Sequence, residues 1–374
     1  MPLFYLQPID NSVVIKEYKP QQFGFQIRKH LLDNGLPDLD GVKIAFFCVE
    51  NETQKMTDFR KKLYSLYVGN WTFSMADLGN LVESVSVEDT YFAVKEVVGF
   101  LAKKGIATVV VGGEQHLTYG LYRAFDRLEQ MVNLVSVDAK FDFDDQDELF
   151  SENSYFSKIL MEKPINLFDF TNLGYQSYYV AQEELDLLDK MCFDAYRLGN
   201  VVNDLPSVEP AMRDADMVSI DMKSVQARDI DNPLGYVNGF SNREICTLAR
   251  YAGISSNVQV CGIFDIPKTL LASELVAQML WYFCEGYNFR IKELPVINDE
   301  NYTRYIVPID DVQVEFFKSN ATGRWWMKPG GDKFSAHQSH LPLGLVPCNH
   351  KEYVEATQGI IPERWWKSYR KSMQ

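Results

Sequence analysis

Apolar and polar positions alternate along the chain in a pattern typical of repeated strand and helix units. Val42 to Cys48 (VKIAFFC) and residues 106 to 111 (IATVVV) have the length and the β-branched content of buried strands. Between them, Val87 to Lys104 carries apolar residues at roughly helical spacing and ends at Gly105, a typical helix stop. The same alternation predicts strands at residues 133–138, 165–170, 216–221 and 257–265, and helices at residues 117–128, 182–190, 241–251 and 269–285.

This order of elements predicts an α/β fold with a mostly parallel central sheet. Parallel strands need long crossover connections, and helical crossovers cover both faces of the sheet. No linker interrupts residues 1–297, so we predict one three-layer α/β/α domain there.

Residues 298–374 have a different character and are predicted to form a C-terminal appendage packed on the main domain. YIVPI and VQVEFF indicate a pair of strands, and the segments RWWMKP and PERWWK follow. Two interpretations of the tryptophans stay open: they pack the appendage, or, together with arginine, they form a protein-binding hot spot. The residues concerned are Trp325, Trp326, Trp365 and Trp366.

Composition and charge exclude several classes of partner. The net charge of -14 and the absence of a run rich in lysine and arginine make nucleic acid and anionic membranes poor partners. Neither a secretory signal nor an apolar stretch of about 20 residues is present in the sequence, so no direct membrane insertion is expected. Six scattered cysteines without a CxxC pair indicate reduced core thiols, and we expect a cytoplasmic protein.

Charged residues follow two of the predicted strands at the edge where an open α/β sheet binds ligands. Asp138, Lys140 and Asp142 come after one strand, and Asp221 and Lys223 end another. Alternation in an extended chain would place 138, 140 and 142 on one side, and likewise 221 and 223. Taken singly, each charge is ordinary at a solvated surface, so the spacing alone leaves a surface role open.

Motifs at these strand ends resemble the signatures of the ureohydrolase family, which includes arginase, agmatinase and formimidoylglutamase. GGEQHLTYG (112–120) is similar to G-G-D-H-S-[LI]-x-x-G, DAKFD (138–142) to D-A-H-x-D, and SIDMKSVQA (219–227) to the start of S-x-D-x-D-x-x-D-P. GFSNRE (239–244) is similar to a segment that follows the third signature, and SENSYF (151–156) resembles the formimidoylglutamase branch. The resemblance covers roughly residues 40 to 290 and implies an arginase-like fold.

The resemblance also implies that the metal site of the family has been dismantled in this chain. Active members hold two manganese ions with two histidines and four aspartates. Matched position by position, Gln115 and Lys140 stand where the family has histidine, and Lys223 stands where it has aspartate. The remnant ligands are Asp138, Asp142 and Asp221, a histidine that contacts substrate falls on Glu152, and the acidic residue that binds the guanidinium falls near Asp265.

We predict that the two lysines act as internal counter-ions to the buried aspartates. An ammonium has no lone pair for a metal, and hydrolysis of an amidine needs a metal-bound hydroxide. His116 would become a ligand only if the register slipped by one residue against Gly120. His337 and His340 are expected in a surface loop of the appendage.

Two functions follow from this pattern. The first is a catalytically inactive ureohydrolase-like protein, a pseudoenzyme without a cofactor, that acts as a binding or scaffold protein with a protein partner or as a homo-oligomer. The alternative is a hydrolase of linear amidine C–N bonds, formimidoylglutamate being the closest substrate. It would use manganese, or acid and base chemistry by residues such as Glu152 and Lys140.

Overall fold

The fold is described from a computed structural model, which covers residues 2–14, 17–128, 130–143, 155–233, 235–293, 295, 300–329 and 344–373. Its strands are β1 Leu6–Gln7, β2 Arg28–Lys29, β3 Val42–Glu50, β4 Ser74–Val82, β5 Ala107–Val111, β6 Val132–Val137, β7 Leu167–Tyr175, β8 Asp194–Arg197, β9 Met217–Asp221, β10 Val260–Phe264, β11 Tyr302–Ile309, β12 Val312–Ser319, β13 Trp325–Lys328 and β14 Val346–Cys348. Its helices are α1 Asn11–Val14, α2 Phe23–Gln26, α3 Thr57–Ser65, α4 Val87–Lys103, α5 Thr118–Arg123, α6 Tyr155–Met161, α7 Gln182–Lys190, α8 Leu198–Asn203, α9 Glu209–Asp214, α10 Asn242–Ile254, α11 Leu270–Asn288, α12 His350–Thr357 and α13 Glu363–Met373.

The central sheet has the strand order β1-β4-β3-β5-β10-β9-β6-β7-β8, and β2 also pairs with β4. Neighbouring strands are parallel except β1, which runs antiparallel to β4 at the edge. Consecutive strands separated by helices return to the same sheet in the same direction, as the sequence pattern requires. The predicted mostly parallel sheet is confirmed.

Alternating side chains of the central strands divide the core into two layers, one on each face of the sheet. In β3, Ile44, Phe46 and Cys48 belong to one buried cluster, which includes residues of α3, α10 and α11. Ala45, Phe47 and Val49 belong to the other, which includes residues of α4, α5 and α6. Because successive residues of a strand point to opposite faces, a continuous apolar run serves a sheet that is covered on both sides.

Local signals fix several helix ends where the sequence predicts them. In α10, the backbone N–H of Ser241 donates to Glu244 Oε2 at 2.7 Å, which is one of the two hydrogen bonds of a capping box. The predicted helix over residues 117–128 is divided: α5 is followed by a 3-10 segment, Ala124–Arg127. Tightening of this kind is frequent at helix ends. Among the described residues, none of the helices is both long and apolar enough to cross a bilayer.

A second, antiparallel sheet forms the C-terminal appendage in the order β11-β12-β13-β14. The predicted strand pair is present as β11 and β12, and the RWWMK segment, for which no strand was predicted, supplies β13. The boundary predicted between residues 297 and 298 falls in a segment outside the described residues, so it stays a prediction. His337 and His340 also lie outside them.

Arg213 of α9 joins the main domain to the appendage. Its Nη2 donates to the carbonyl oxygens of Trp325 and Cys348 at 3.0 and 3.1 Å, so one guanidinium holds both β13 and β14. The guanidinium carbon also lies 4.6 Å from the ring centroid of Trp326. A buried cation that is hydrogen-bonded and stacked in this way fixes the position of the sheet against α9.

Three of the four tryptophans of the appendage are packing residues. Trp325, Trp326 and Trp365 are 6%, 2% and 1% exposed, whereas Trp366 is 47% exposed. Only Trp366 of these four therefore presents a substantial ring surface to a partner.

Trp326→Ala should lower the free energy of unfolding by about 3–5 kcal/mol, because truncation of a buried tryptophan loses apolar burial and leaves a cavity. Trp366→Ala is the matched control, since it makes the same change on an exposed ring and should cost less than about 1 kcal/mol. Urea-induced unfolding followed by circular dichroism measures both. Equal losses for the two variants would contradict the packing assignment.

Candidate functional site

Four carboxylates meet at the carboxyl-end edge of the central strands. β10, β9 and β6 are neighbours in the sheet, with Phe264 opposite Asp221 and Val137 opposite Ile220. Asp221 ends β9, Asp138 directly follows β6, and Asp265 directly follows β10. The parallel register therefore brings three of the predicted site residues to one edge, and the turn after β6 returns Asp142 to the same place.

Asp138 and Asp142 form a buried carboxyl pair. Asp138 is 2% exposed, and Oδ2 of each residue is buried without a hydrogen-bond partner among the described residues. Burial raises the pKa of both carboxyls, and the Asp138 carboxylate together with its hydrogen bond raises that of Asp142 well above its usual range. Two carboxylates in contact cannot both ionise easily, so this arrangement favours a proton on Asp142, placed to be donated to Asp138.

Lys223 lies across Asp221 and Asp265. Its backbone N–H donates to Asp221 Oδ1 at 2.7 Å, and its Nζ lies 3.1 Å from Asp265 Oδ1. Burial and then the neighbouring carboxylates raise the pKa of Asp221 well above its usual range, and Lys223 opposes this shift. The Lys223 side chain is 46% exposed and that of Asp265 is 11% exposed, so the ion pair closes the edge of the carboxylate cluster rather than its interior.

Gln115 lies in the cluster and His116 lies outside it. The backbone N–H of Gln115 donates to Asp265 Oδ2 at 3.0 Å, and its side-chain amide donates to Ser136 Oγ at 3.4 Å. His116 turns to the other side, where its Nδ1 is 3.0 Å from the hydroxyl of Tyr91. The alternative in which His116 replaces Gln115 as a ligand is therefore wrong.

Lys140 is placed differently from the prediction. Its side chain is exposed, with Nζ 5.8 Å from the ring centroid of Tyr179, and it hydrogen-bonds to Tyr236. The predicted position among the aspartates assumed that the chain stays extended beyond Asp138. Instead β6 ends at Val137, and the backbone N–H of Lys140 turns back to donate to Asp138 Oδ1 at 3.1 Å. Among the described residues, ion pairing to the cluster comes from Lys223 alone.

Two features of the site were not predicted. Tyr155 begins α6 with its hydroxyl 3.2 Å from Ser136 Oγ, beside the Asp138 and Asp142 carboxyls. Tyr179 and Tyr236 form an aromatic pair at the rim, with ring centroids 4.5 Å apart. The tyrosine in SENSYF was the one available signal for the first, whereas the aromatic pair joins two distant loops. Glu152 lies outside the described residues.

The side chains present do not fit a two-metal centre. The Lys223 ammonium has no lone pair and stands at one oxygen of Asp265, so it occupies a position that a cation would need. In the described part of the chain, no group of three or more histidine, cysteine, aspartate or glutamate side chains is arranged to hold a metal ion. The roles of the predicted site residues stay predictions.

Asp142→Asn should stabilise the protein at neutral pH. The pKa of Asp142 is higher in the folded state than in the unfolded state. Its stabilising contribution to the free energy of unfolding is therefore complete below the unfolded-state pKa and is lost as the pH rises through the folded-state pKa. Asparagine keeps a donor to Asp138 without ionising, so the variant should gain at least about 1 kcal/mol at pH 7, and the gain should shrink toward pH 4. Urea midpoints across pH 4–8 in the presence of a chelator measure this difference.

Asp231→Asn is the matched control for this prediction. Asp231 is exposed and has a φ of 52°, close to the 54° of Asp142, so both substitutions place asparagine in the same left-handed backbone. The free energy of unfolding of Asp231→Asn should stay within about 0.5 kcal/mol of that of the parent protein over the same pH range. A destabilised Asp142→Asn protein at pH 7 would contradict the shared proton.

Comparison with known proteins agrees with the fold and with the motifs. The arginase family model matches residues 51–230. A formimidoylglutamase of Lysinibacillus sphaericus (strain C3-41) is 26% identical over 152 residues, which are 38% of this chain and 46% of that relative. The chain thus spans less than half of the length of the curated relative that it matches.

Solved structures of similar fold come from the same group of enzymes. Trypanosoma cruzi formiminoglutamase with Mn2+ superposes with a TM-score of 0.60 at 15% identity, covering 68% of this chain and 96% of that one. Formimidoylglutamase of Bacillus subtilis gives 0.58 at 15% identity, with coverages of 68% and 89%. The agmatine ureohydrolase of Thermoplasma volcanium gives 0.53 at 20% identity, with 67% and 92%. The solved structures show an arginase-like fold, and the family model, the curated relative and the strand-end motifs together support a divergent member of the arginase (ureohydrolase) family.

Proposed function

We propose that this chain keeps the ureohydrolase fold without two-metal hydrolysis and acts as a cytoplasmic binding or scaffold protein. The observation that carries the proposal is the ion pair between Lys223 and Asp265, 3.1 Å long, at the edge where the family binds its metals. The similar enzymes named above include a formiminoglutamase solved with Mn2+, and metal-bound hydroxide is the usual nucleophile for such hydrolysis.

The charges of the cluster are partly compensated from within. Lys223 compensates Asp265, and the proton on Asp142 removes one of the four negative charges. A divalent cation would have to displace the ammonium and that proton before it gained ligands. Metal binding therefore requires the release of an ammonium and a proton, which is unfavourable. Because a proton is released, metal binding should weaken as the pH falls.

The remaining surface supports a role in binding. Trp366 keeps an exposed ring on α13, so a protein partner or a second copy of the chain could use it as an anchor. All six cysteines are free and buried, which fits a reducing compartment.

Manganese loading tests the proposal directly. After incubation with excess Mn2+ and gel filtration, elemental analysis should find much less than one ion per chain. No formamide, ammonia or urea should be released from formimidoylglutamate, agmatine or arginine. The control is an active formimidoylglutamase treated in parallel. Stoichiometric metal with product release would establish the hydrolase function instead.

Restoring the ligand types should restore metal uptake. The triple variant Gln115→His, Lys140→His and Lys223→Asp replaces each residue by the type that the family resemblance places there, and it should retain at least tenfold more Mn2+ than the parent, about 1.4 kcal/mol or more in binding free energy. The matched control carries Lys140→Gln and Lys223→Gln in the parent chain, which removes both ammoniums without adding a ligand. Equal uptake by the triple variant and this control would refute the assignment of the ligand positions.

A further inference from the structure

A second cleft lies on the face of the sheet covered by α4, α5 and α6, apart from the carboxylate cluster. Its volume is about 430 Å3, within the range of small-molecule sites. Tyr91 and Tyr119 form two of its walls, with ring centroids 5.0 Å apart and ring planes at 64°. The two rings therefore meet edge to face and leave a corner between them.

An ammonium already occupies that corner. Nζ of Lys158, on α6, lies 5.0 Å from the ring centroid of Tyr91 and 5.2 Å from that of Tyr119. Both distances are within the roughly 6 Å over which a cation is attracted by an aromatic face. The corner is thus an aromatic cage for an ammonium, and the chain itself supplies the cation.

Hydrogen bonds of the tyrosine hydroxyls strengthen the cage. The hydroxyl of Tyr119 donates to Glu162 Oε2, which increases the electron density of its ring. The hydroxyl of Tyr91 is held 3.0 Å from His116 Nδ1, so this ring also has a fixed orientation. The walls are therefore preorganised, which lowers the entropic cost of binding a ligand.

The charges around the cleft also suit a cation. The other two basic residues of the lining, Lys95 and Arg123, are both paired with Asp126, at 3.0 and 2.9 Å. Glu88 and Glu162 are the acidic residues of the lining, and Glu88 interacts electrostatically with Lys158. The Arg123 guanidinium also lies 5.9 Å from the ring centroid of Tyr119, so Lys158 is the cation of the lining that contacts both rings.

We propose that this cleft binds a small organic ammonium, such as an alkylamine or a quaternary amine, between the rings of Tyr91 and Tyr119. Lys158 is the internal occupant that the ligand replaces. Glu162 directly follows α6, and its backbone N–H donates to the Lys158 carbonyl at 3.0 Å, so a displaced ammonium has a carboxylate one turn away. This site adds a ligand to the proposed function and does not depend on the carboxylate cluster.

Titration of the full chain with tetramethylammonium, followed by calorimetry or ligand-observed NMR, tests the proposal. Lys158→Ala removes the internal competitor, so this variant should bind tetramethylammonium at least about tenfold more tightly than the parent does. The reason is that the ligand no longer has to displace an ammonium from two aromatic faces. Lys158→Arg keeps a cation over the rings and should show no gain. Lys95→Ala removes a neighbouring lysine that is paired elsewhere and should also show no gain. In the Lys158→Ala background, Tyr119→Leu should lose most of the gained affinity.

Neutral tert-butyl alcohol distinguishes cation binding from simple filling of an apolar cleft, and it should not bind saturably. Equal affinity for this alcohol and for tetramethylammonium would overturn the proposal. So would a Lys158→Ala protein that unfolds cooperatively but gains no affinity. If Lys158→Ala fails to fold, the parent decides: saturable, salt-sensitive binding of tetramethylammonium that Tyr119→Leu abolishes supports the site, and its absence refutes it. None of these variants should change the manganese content of the protein. Failure of the ammonium test can therefore be distinguished from failure of the manganese-loading test.

Discussion

The parallel register of β6, β9 and β10 forces Asp138, Asp221 and Asp265 to the same edge of the sheet, and this crowding of negative charge is the constraint that governs the site. Asp138 and Asp221 are 2% and 4% exposed, and carboxylates buried to this extent need compensation within the protein. In this chain the compensating groups belong to the protein itself: the ammonium of Lys223 and a proton favoured on Asp142. These two groups lower the repulsion within the cluster without removing it.

Internal compensation changes what the strand ends can do. Under the proposed function, the Lys223 ammonium stands where a cation would otherwise bind, and two backbone hydrogen bonds hold this arrangement: Lys223 N–H to Asp221 and Gln115 N–H to Asp265. The scaffold beneath remains that of the enzymes with similar structures, since apolar alternation in β3 and its neighbours depends on burial and not on metal. Fold and chemistry can thus diverge, because different residues determine them.

Much of the fold was predictable because its signals are local. Apolar runs marked β3, β5, β6, β9 and β10, and a capping box marked the start of α10. For the site, the motifs identified the residues of the cluster, but the direction of Lys140 was wrong. Extrapolating strand alternation past Val137 ignored the turn that follows, where Asp142 has a φ of 54°. Tyr179 and Tyr236 meet only in the folded chain, so no local pattern could pair them.

Two lysine side chains of this chain each occupy a position that an external cation could otherwise take. Lys223 faces a carboxylate and Lys158 faces two tyrosine rings, so each holds a cation-binding environment in its occupied form. A tethered group acts at an effective concentration of about the millimolar order. A free ligand displaces it only when the ligand competes successfully at that concentration. The two lysines differ in what opposes their release. Release of Lys223 would remove the ammonium from a cluster of aspartates, whereas release of Lys158 would leave two neutral rings and an exposed carboxylate, that of Glu88. The aromatic cage is therefore the position at which exchange costs less, and ligand binding should favour it over the strand-end cluster.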